Sequence, residues 1–520
     1  MKTGSFKGLF WFFLVVALLF RISRLGLRPM HHDEANQAAK LGNLLEKGEY
    51  RYDPIDHHGP SLYYLSLPVA WIASGASYAS LSETTLRIVP ALFGVGILLL
   101  LLLLQGRLSR EALIFAALFT AISPAMVYFS RFYIQEMLLV FFLAGAIASF
   151  WRYGQTRSVW WAVAAGFFSG LMYTTKETSV ILFGCLLGAA VLTRILPIKK
   201  RTGKLAEFKP AQVGHLLFFL AAAAVPIGLL FSSFFKFPGG IGDSFLAFRT
   251  YFERAGEAGF HAHPWYYYLK LLVYSHPENS PVWGETFILA LALVGSFSAF
   301  GVDPGEGGDS RFIRFILFFT LLTVAIYSAI PYKTPWNLLP FYLGILLLAG
   351  NGAALIWKAG RFRITKALTL FVLAPGIMNL GVQSYRANFV FESDPRNPYV
   401  YAQTSPDFMN LVRRMDEVAL VHPDHRQMLI KVIASPDETW PLPWYLRKFS
   451  RVGYWTDAAA AGEVRDAGVI ISSLDQTERL SPMLADGYVS EHYGLRPDVL
   501  LSVQIKKELW ENLMLEKEKK

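Results

Sequence analysis

Between the long apolar runs of this sequence, ionisable side chains gather in four short stretches. The first holds His31-His32-Asp33-Glu34, then Asp53, Asp56 and His57-His58-Gly59-Pro60, followed by Tyr63 and Tyr64. The second is Ser130-Arg131 with Gln135-Glu136, and the third is Thr175-Lys176-Glu177-Thr178. The fourth is Tyr332-Lys333-Thr334-Pro335-Trp336-Asn337. Carboxylates at Asp33 and Glu136 suit proton abstraction from a hydroxyl or coordination of a hard divalent cation such as Mg or Mn. Arg131, Lys176 and His58 suit a phosphate or pyrophosphate on which negative charge develops as a bond breaks. Tyr63, Tyr64, Tyr332 and Trp336 suit an isoprenoid tail or the face of a sugar. Such a set describes sugar transfer from a lipid-phosphate donor. A carboxylate pair also suits glycoside hydrolysis, but a cleft at a membrane surface favours the lipid-linked donor.

Taken singly, most of these residues have plainer readings. Arg131 or Lys333 alone is an interfacial anchor. Lys176-Glu177 is a helix-end charge pair, Asp33-Glu34 the first turn of an interfacial helix, and His57-His58 ordinary loop histidines. Glu136 is different: it sits in the apolar run Tyr133 to Leu143, where an unpaired carboxylate is costly. The conjunction carries the argument.

The elements that position these stretches follow from composition. Of 520 residues, 53% are hydrophobic and only 17% charged, with mean hydropathy +0.36. Soluble domains carry about 25% charged residues, so this chain is built largely for lipid. The net charge of +10 resides mostly in short loops between apolar runs, where it sets membrane orientation and implies no nucleic-acid partner. With Cys185 the single cysteine, no intramolecular disulfide forms. A span needs about 20 apolar residues. Runs of that kind lie near 8–27, 86–106, 112–130, 132–151, 158–175, 178–196, 213–235, 282–300, 312–330, 335–357 and 366–385, predicting about eleven transmembrane helices. The first lacks a small-residue cleavage site and is read as a retained helix. Pro124, Pro226 and Pro375 fall in or near spans, where neighbouring helices re-satisfy the freed backbone.

Lys and Arg placement predicts orientation. With the N-terminus in the cytoplasm, every inner loop is basic: Lys2 and Lys7; Arg107 and Arg110; Arg152 and Arg157; Arg194 to Lys209; Arg311 and Arg314; Lys358 to Lys366. Outer turns hold Arg131, Lys176 and Lys333, with Arg24 and Arg28 as exceptions. The positive-inside rule thus sets the four chemical stretches outside the cytoplasmic (inner) membrane. Residues 1–385 form the transmembrane domain, with outer loops at 28–85 and 236–281, the second rich in interfacial aromatics. Residues 386–520 read as a small C-terminal extracytoplasmic α/β domain, with strands at Met428–Ala434, Gly468–Ser472 and Val499–Ile505. Lys506–Lys520 reads as a solvated helical tail.

At these residues the chain resembles the GT-C superfamily of membrane glycosyltransferases. The branch is that of dolichyl-phosphate-mannose protein mannosyltransferases and the bacterial aminoarabinose transferase of lipid A. The resemblance rests on Asp33-Glu34, the His-Gly-Pro turn with Tyr63-Tyr64, Arg87…Pro90-Ala91-Leu92-Phe93-Gly94, and Ser130-Arg131…Glu136. Tyr332 to Trp336, Tyr401 to Asp407 and Thr439 to Tyr445 look closer to a prokaryotic subfamily named after an archaeal flippase activity-associated protein. The resemblance implies a polyprenyl-phosphate sugar donor, a protein, glycan or lipid acceptor, and a role in cell-envelope glycosylation. It implies Asp33, beside Glu34, as base in an inverting transfer and Glu136 as assisting acceptor or metal, with Asp33 and Glu136 the candidate metal ligands. It implies Arg131 and His58 at the donor phosphate, joined by Lys176 and Lys333, with His57, Tyr63, Tyr64, Tyr332 and Trp336 lining the site. Two other readings stand beside it, a lipid-linked sugar flippase and a non-catalytic scaffold.

Overall fold

The computed structural model describes residues 3–56, 58–196, 212–255, 259–360 and 362–518. His57, Lys2, the basic residues Lys199, Lys200, Arg201, Lys204 and Lys209, and Arg361 lie outside the described residues. The chain opens with α1 (Thr3–Ile22), then α2 (His32–Lys47) and α3 (Ser61–Ser74) in the first large loop. There follow α4 (Glu83–Leu101), α5 (Arg110–Ile122), α6 (Pro124–Ser130), α7 (Glu136–Thr156), α8 (Val159–Tyr173), α9 (Ser179–Ile195) and α10 (Val213–Phe231). The second large loop contains α11 (Gly239–Ala255) and α12 (Tyr267–Val273). Then come α13 (Thr286–Ser296), α14 (Ser310–Ala329), α15 (Leu339–Ala359) and α16 (Arg363–Phe389). Among the described residues seven helices are long and apolar enough to span a membrane, and the bent pair α5–α6 makes eight. Three shorter apolar helices, 159–173, 179–195 and 286–300, coincide with the remaining expected spans. The protein is a multi-pass membrane protein.

The span expected at 112–130 is broken by 58°. Pro124 has no N–H to continue α5, and Ser123 restarts the chain by accepting from Met126 N at 3.2 Å. The N–H of Ala125 is bonded at 2.9 Å by the Glu285 carboxylate, which also accepts from the Tyr399 hydroxyl at 2.8 Å and from Tyr342. A neighbouring helix end thus satisfies the backbone that proline frees, as the membrane requires. The broken span carries Tyr128 to Arg131 inward, into the core of the bundle.

After α16 passes the expected boundary at 385, a linker leads to α17 (Phe408–Val421), α18 (Pro436–Thr439), α19 (Leu442–Tyr445), α20 (Leu474–Leu484) and α21 (Lys507–Glu518). These surround a five-stranded sheet: β1 (Ile430–Ile433), β2 (Val452–Trp455), β3 (Val469–Ser473), β4 (Tyr488–Arg496) and β5 (Val499–Lys506), in the order β2-β1-β3-β5-β4. The first three strands are parallel, and β5 and β4 complete the sheet antiparallel. The fully buried strands β1 and β3 are mostly apolar, β1 interrupted only by Lys431 and β3 ending in Ser472-Ser473, and both are legible in sequence. The half-exposed β2 and β4 are not. The tail helix α21 is docked as well as solvated: Leu509 and Leu513 are buried with Phe408, Leu411 and Met415 of α17.

The basic loops gather at one end of the bundle, where Arg107 pairs with Asp309, Lys358 meets Glu111 at 3.6 Å and Arg314 donates to Leu196 O at 2.6 Å. At the packed centre α13 and α15 touch through Gly295 and Gly352: a Cβ at Gly352 would fall 1.9 Å from Leu291 O. Gly352→Val is therefore expected to lower stability by about 1–3 kcal/mol or more, as overpacking does. Thermal unfolding followed by size-exclusion chromatography in detergent measures it, and an unchanged midpoint would contradict this close contact.

Candidate active site

The site begins where the chain turns from α1 into α2. His31 is the N-cap: its Nδ1 accepts from Asp33 N at 3.0 Å while the Glu34 carboxylate accepts from His31 N at 3.1 Å. Because Nδ1 accepts, the ring proton sits on Nε2, which donates to Tyr401 O at 3.0 Å. Burial lowers the His31 pKa, in keeping with this neutral form.

The two adjacent carboxylates then part company. Successive helix residues point about 100° apart, so Glu34 is turned into the protein while Asp33 is turned toward open space; their side chains are 0% and 39% exposed. Glu34 accepts from Arg87 Nε at 2.7 Å and Nη2 at 2.6 Å, and from Tyr133 N at 2.8 Å, with Arg28 at 3.8 Å. Burial alone would raise its pKa, but Arg87 and then Arg28 bring it down to about 2. Glu34 is placed as a structural ion-pair partner, away from the reacting position the sequence suggested for it. For Asp33, burial acts to raise the pKa, and its electrostatic neighbours His31, His32, His58 and Lys176 hold it below the usual aspartate range.

The other stretches meet Asp33 here. Lys176 pairs with Glu136, both buried, and its ammonium donates to Asn337 Oδ1 at 3.3 Å. His58 Nδ1 lies 3.1 Å from Glu177 Oε2. The His58 loop lies tight against the turn after α8: Ser61 N donates to Thr174 O at 3.0 Å, and a Cβ on Gly59 would sit 2.2 Å from that oxygen. A side chain at 59 would push His58 off the site. Trp336 packs between His31 at 5.9 Å and Tyr401 at 5.9 Å between ring centres.

Several predicted residues have protein partners of their own. Arg131 donates to the carbonyls of Phe20 at 2.9 Å, Arg21 at 3.2 Å, Ser23 at 2.6 Å and Arg24 at 3.2 Å, stacked over Phe389. It caps the carboxyl end of α1 in place of the phosphate it was expected to hold. Lys333 is buried and donates to His263 O at 2.9 Å and to Ile330 O, clamping one loop to another. The Tyr63 hydroxyl is bonded to Gln37, and Tyr64 to Ser233 at 2.7 Å. Tyr332 stacks on His261 at 4.6 Å. His57 lies outside the described residues. Among the described residues no group of three or more His, Cys, Asp or Glu converges on a metal position. The Glu136 carboxylate is bound to the Lys176 ammonium, so Asp33 and Glu136 do not fit as a cation-binding pair.

Sequence reading passed over His261 and His263, and took Tyr401 only as part of a motif and not as a site residue. The Tyr401 hydroxyl lies 2.8 Å from His261 Nδ1 and 3.4 Å from His263 Nε2, and the charge on Asp33 reaches both His261 and Tyr401. The signal available was alternation: Phe260-His261-Ala262-His263 reads as an extended segment with both imidazoles on one face.

Residues 11–236 match the family described as dolichyl-phosphate-mannose-protein mannosyltransferase. Among curated proteins, none matches the chain by sequence. ArnT from Cupriavidus metallidurans, solved bound to undecaprenyl phosphate, superposes with TM-score 0.64 at 16% identity, over 96% of this chain and 98% of that one. The archaeal oligosaccharyltransferase AglB from Archaeoglobus fulgidus, in complex with an inhibitory peptide and a dolichol-phosphate, superposes with TM-score 0.55 at 11% identity, over 98% of this chain and 77% of that one. The fold is the GT-C fold, and the resemblance drawn from the sequence is borne out at the level of the GT-C superfamily and its dolichyl-phosphate-mannose protein mannosyltransferase branch.

Removing Glu34 leaves the Arg87 guanidinium buried without its counter-charge, a loss of about 3–5 kcal/mol. Glu34→Ala is expected to lower the unfolding midpoint in detergent sharply, while Asp33→Ala leaves it near wild type. Equal midpoints for the two variants would refute the division of roles between them.

Proposed function

We propose that this chain is a glycosyltransferase that moves a sugar from a polyprenyl-phosphate donor to an acceptor hydroxyl at the outer face of the cytoplasmic membrane, with inversion at the anomeric carbon. The observation that carries the reading is the partly exposed Asp33 carboxylate, held ionised among His58 and Lys176 at one end of a membrane bundle. Support also comes from the lipid phosphates in the two similar structures, undecaprenyl phosphate in ArnT and dolichol-phosphate in AglB. The basic loops at the opposite end of the bundle support an N-terminus in the cytoplasm.

Asp33 takes the proton of the acceptor hydroxyl as its oxygen attacks the anomeric carbon. The bond from that carbon to the phosphate oxygen breaks, and the electron pair leaves with the polyprenyl phosphate. Lys176 has three donor hydrogens and gives two of them to Glu136 and Asn337, so one remains for the leaving phosphate. Glu136 fixes the ammonium in place, and His58, steadied by Glu177, adds a second donor on that side. Arg131 and Lys333 serve the reaction by holding backbone. The acceptor is a protein, glycan or lipid carrying a hydroxyl.

Transfer is measured with undecaprenyl-phosphate hexose in proteoliposomes, as release of undecaprenyl phosphate. Asp33→Asn is expected to reduce the rate by at least 10³-fold with donor binding retained, whereas Lys176→Gln weakens donor binding roughly tenfold or more. Full turnover by Asp33→Asn would remove the base from this scheme. Because the Asp33 pKa is lowered, its basic form persists as pH falls. The acid limb of the rate profile is expected below the ordinary aspartate value of about 3.9. An acid limb centred near pH 6 would point to a different base.

A further inference from the structure

Two unlike sets of groups surround Asp33. One is Lys176 and His58, suited to phosphate. In the other, the loop ahead of α12 runs beside the turn after α14, bridged at Ala262 and Tyr332, with His263 N donating to Pro331 O at 3.1 Å and Lys333 N to His261 O at 2.9 Å. This pairing sets out a row of half-buried rings: His261 against Tyr332, His263 against Tyr267 at 4.3 Å, and Tyr401 bridging both imidazoles. No mechanism above uses these groups.

Resting on the proposed transfer reaction, we infer that His261, His263, Tyr332 and Tyr401 form the acceptor subsite and that the acceptor is itself a sugar ring. In an in-line displacement the base and the leaving group lie on opposite sides of the anomeric carbon. Lys176 and His58 take the leaving phosphate, so the acceptor falls to the other groups beside Asp33, and this row joins the Asp33 cap directly, His31 Nε2 donating to Tyr401 O at 3.0 Å. Its chemistry fits carbohydrate. Flat ring faces receive the C–H face of a pyranose, while imidazole nitrogens and a phenol, each able to donate or accept, read hydroxyls. Burial lowers the pKa of both histidines, which keeps them neutral and ill-suited to a phosphate. The side chain of a serine or threonine presents no comparable flat face. The Lys333 clamp on His263 O holds the row in register.

The test uses the full chain in nanodiscs and saturation-transfer difference NMR. The probes are methyl α-D-mannopyranoside, methyl β-D-glucopyranoside, N,N′-diacetylchitobiose and a blocked threonine tripeptide. Ring protons of at least one saccharide are expected to saturate, with binding weakened tenfold or more by His261→Ala and by the milder Tyr401→Phe. Undecaprenyl phosphate binding to the same variants is expected to stay within twofold of wild type, which also reports their folding. Saturation of the tripeptide alone, no saccharide signal, or unchanged saccharide binding in both variants would each overturn the subsite. Wild-type protein that binds a saccharide here yet no undecaprenyl phosphate would instead sink the transfer reaction and leave the subsite standing.

Discussion

A carboxylate and a guanidinium buried together at the corner between α1 and α2 organise the rest of this molecule. Glu34 and Arg87 are both inaccessible to solvent, and each is satisfied almost completely. The remaining donors of Arg87 reach Leu25 O and Arg28 O at 2.8 Å and Pro29 O at 3.1 Å. Irregular backbone at the level of a membrane is tolerable only where protein groups satisfy it, and this one side chain satisfies three carbonyls of the crossing segment. The fourth ligand of Glu34, Tyr133 N, belongs to the turn between α6 and α7. A single ion pair thus joins the start of α2, the wall of α4 and the turn that delivers Glu136. Asp33 is aimed because its neighbour cannot move.

The C-terminal domain completes this corner. Gln403 donates to Pro29 O at 2.9 Å, Thr404 to Met30 O at 2.6 Å, and the Tyr445 hydroxyl accepts from Met30 N at 2.8 Å. Trp444 donates to Glu83 at 2.8 Å, and Trp440 stands beside His32. The motifs at 401–407 and 439–445 therefore have a physical reading: they supply the hydrogen bonds that the extended segment before α2 lacks. Through Tyr401 the domain also sets the tautomer of His31 and so the cap on which Asp33 rides.

The cations divide according to their chemistry. A guanidinium carries five donors in a fixed plane and meets several carbonyls at once, so Arg87 and Arg131 close helix ends and loops. Arg28, an exception to the charge rule for orientation, is buried over Tyr128 and Phe132 beside Glu34, and acts as part of this scaffold rather than as a topological signal. Lys176, with a compact ammonium and fewer ties, is the cation left beside Asp33. Sequence alone treats Arg131 and Lys176 alike because both follow an apolar run at the same end of the bundle.

What the sequence by itself determined is whatever depends on solvent. Apolar length marked the spans, the spread of Lys and Arg separated the two ends, and the short, mostly apolar runs at β1 and β3 marked the buried strands of the small domain. These are one-body preferences of residues for lipid, water or protein interior, and they survive without knowledge of neighbours. The tertiary structure alone decided which of two adjacent carboxylates is buried, which cation caps a helix and which lies beside Asp33, and that His261, His263 and Tyr401 come together. Those outcomes are set by direction: a turn of about 100° between consecutive helix residues and a 58° bend at Ser123–Pro124 send neighbouring side chains into different surroundings, and direction is a property of packed elements rather than of residue type.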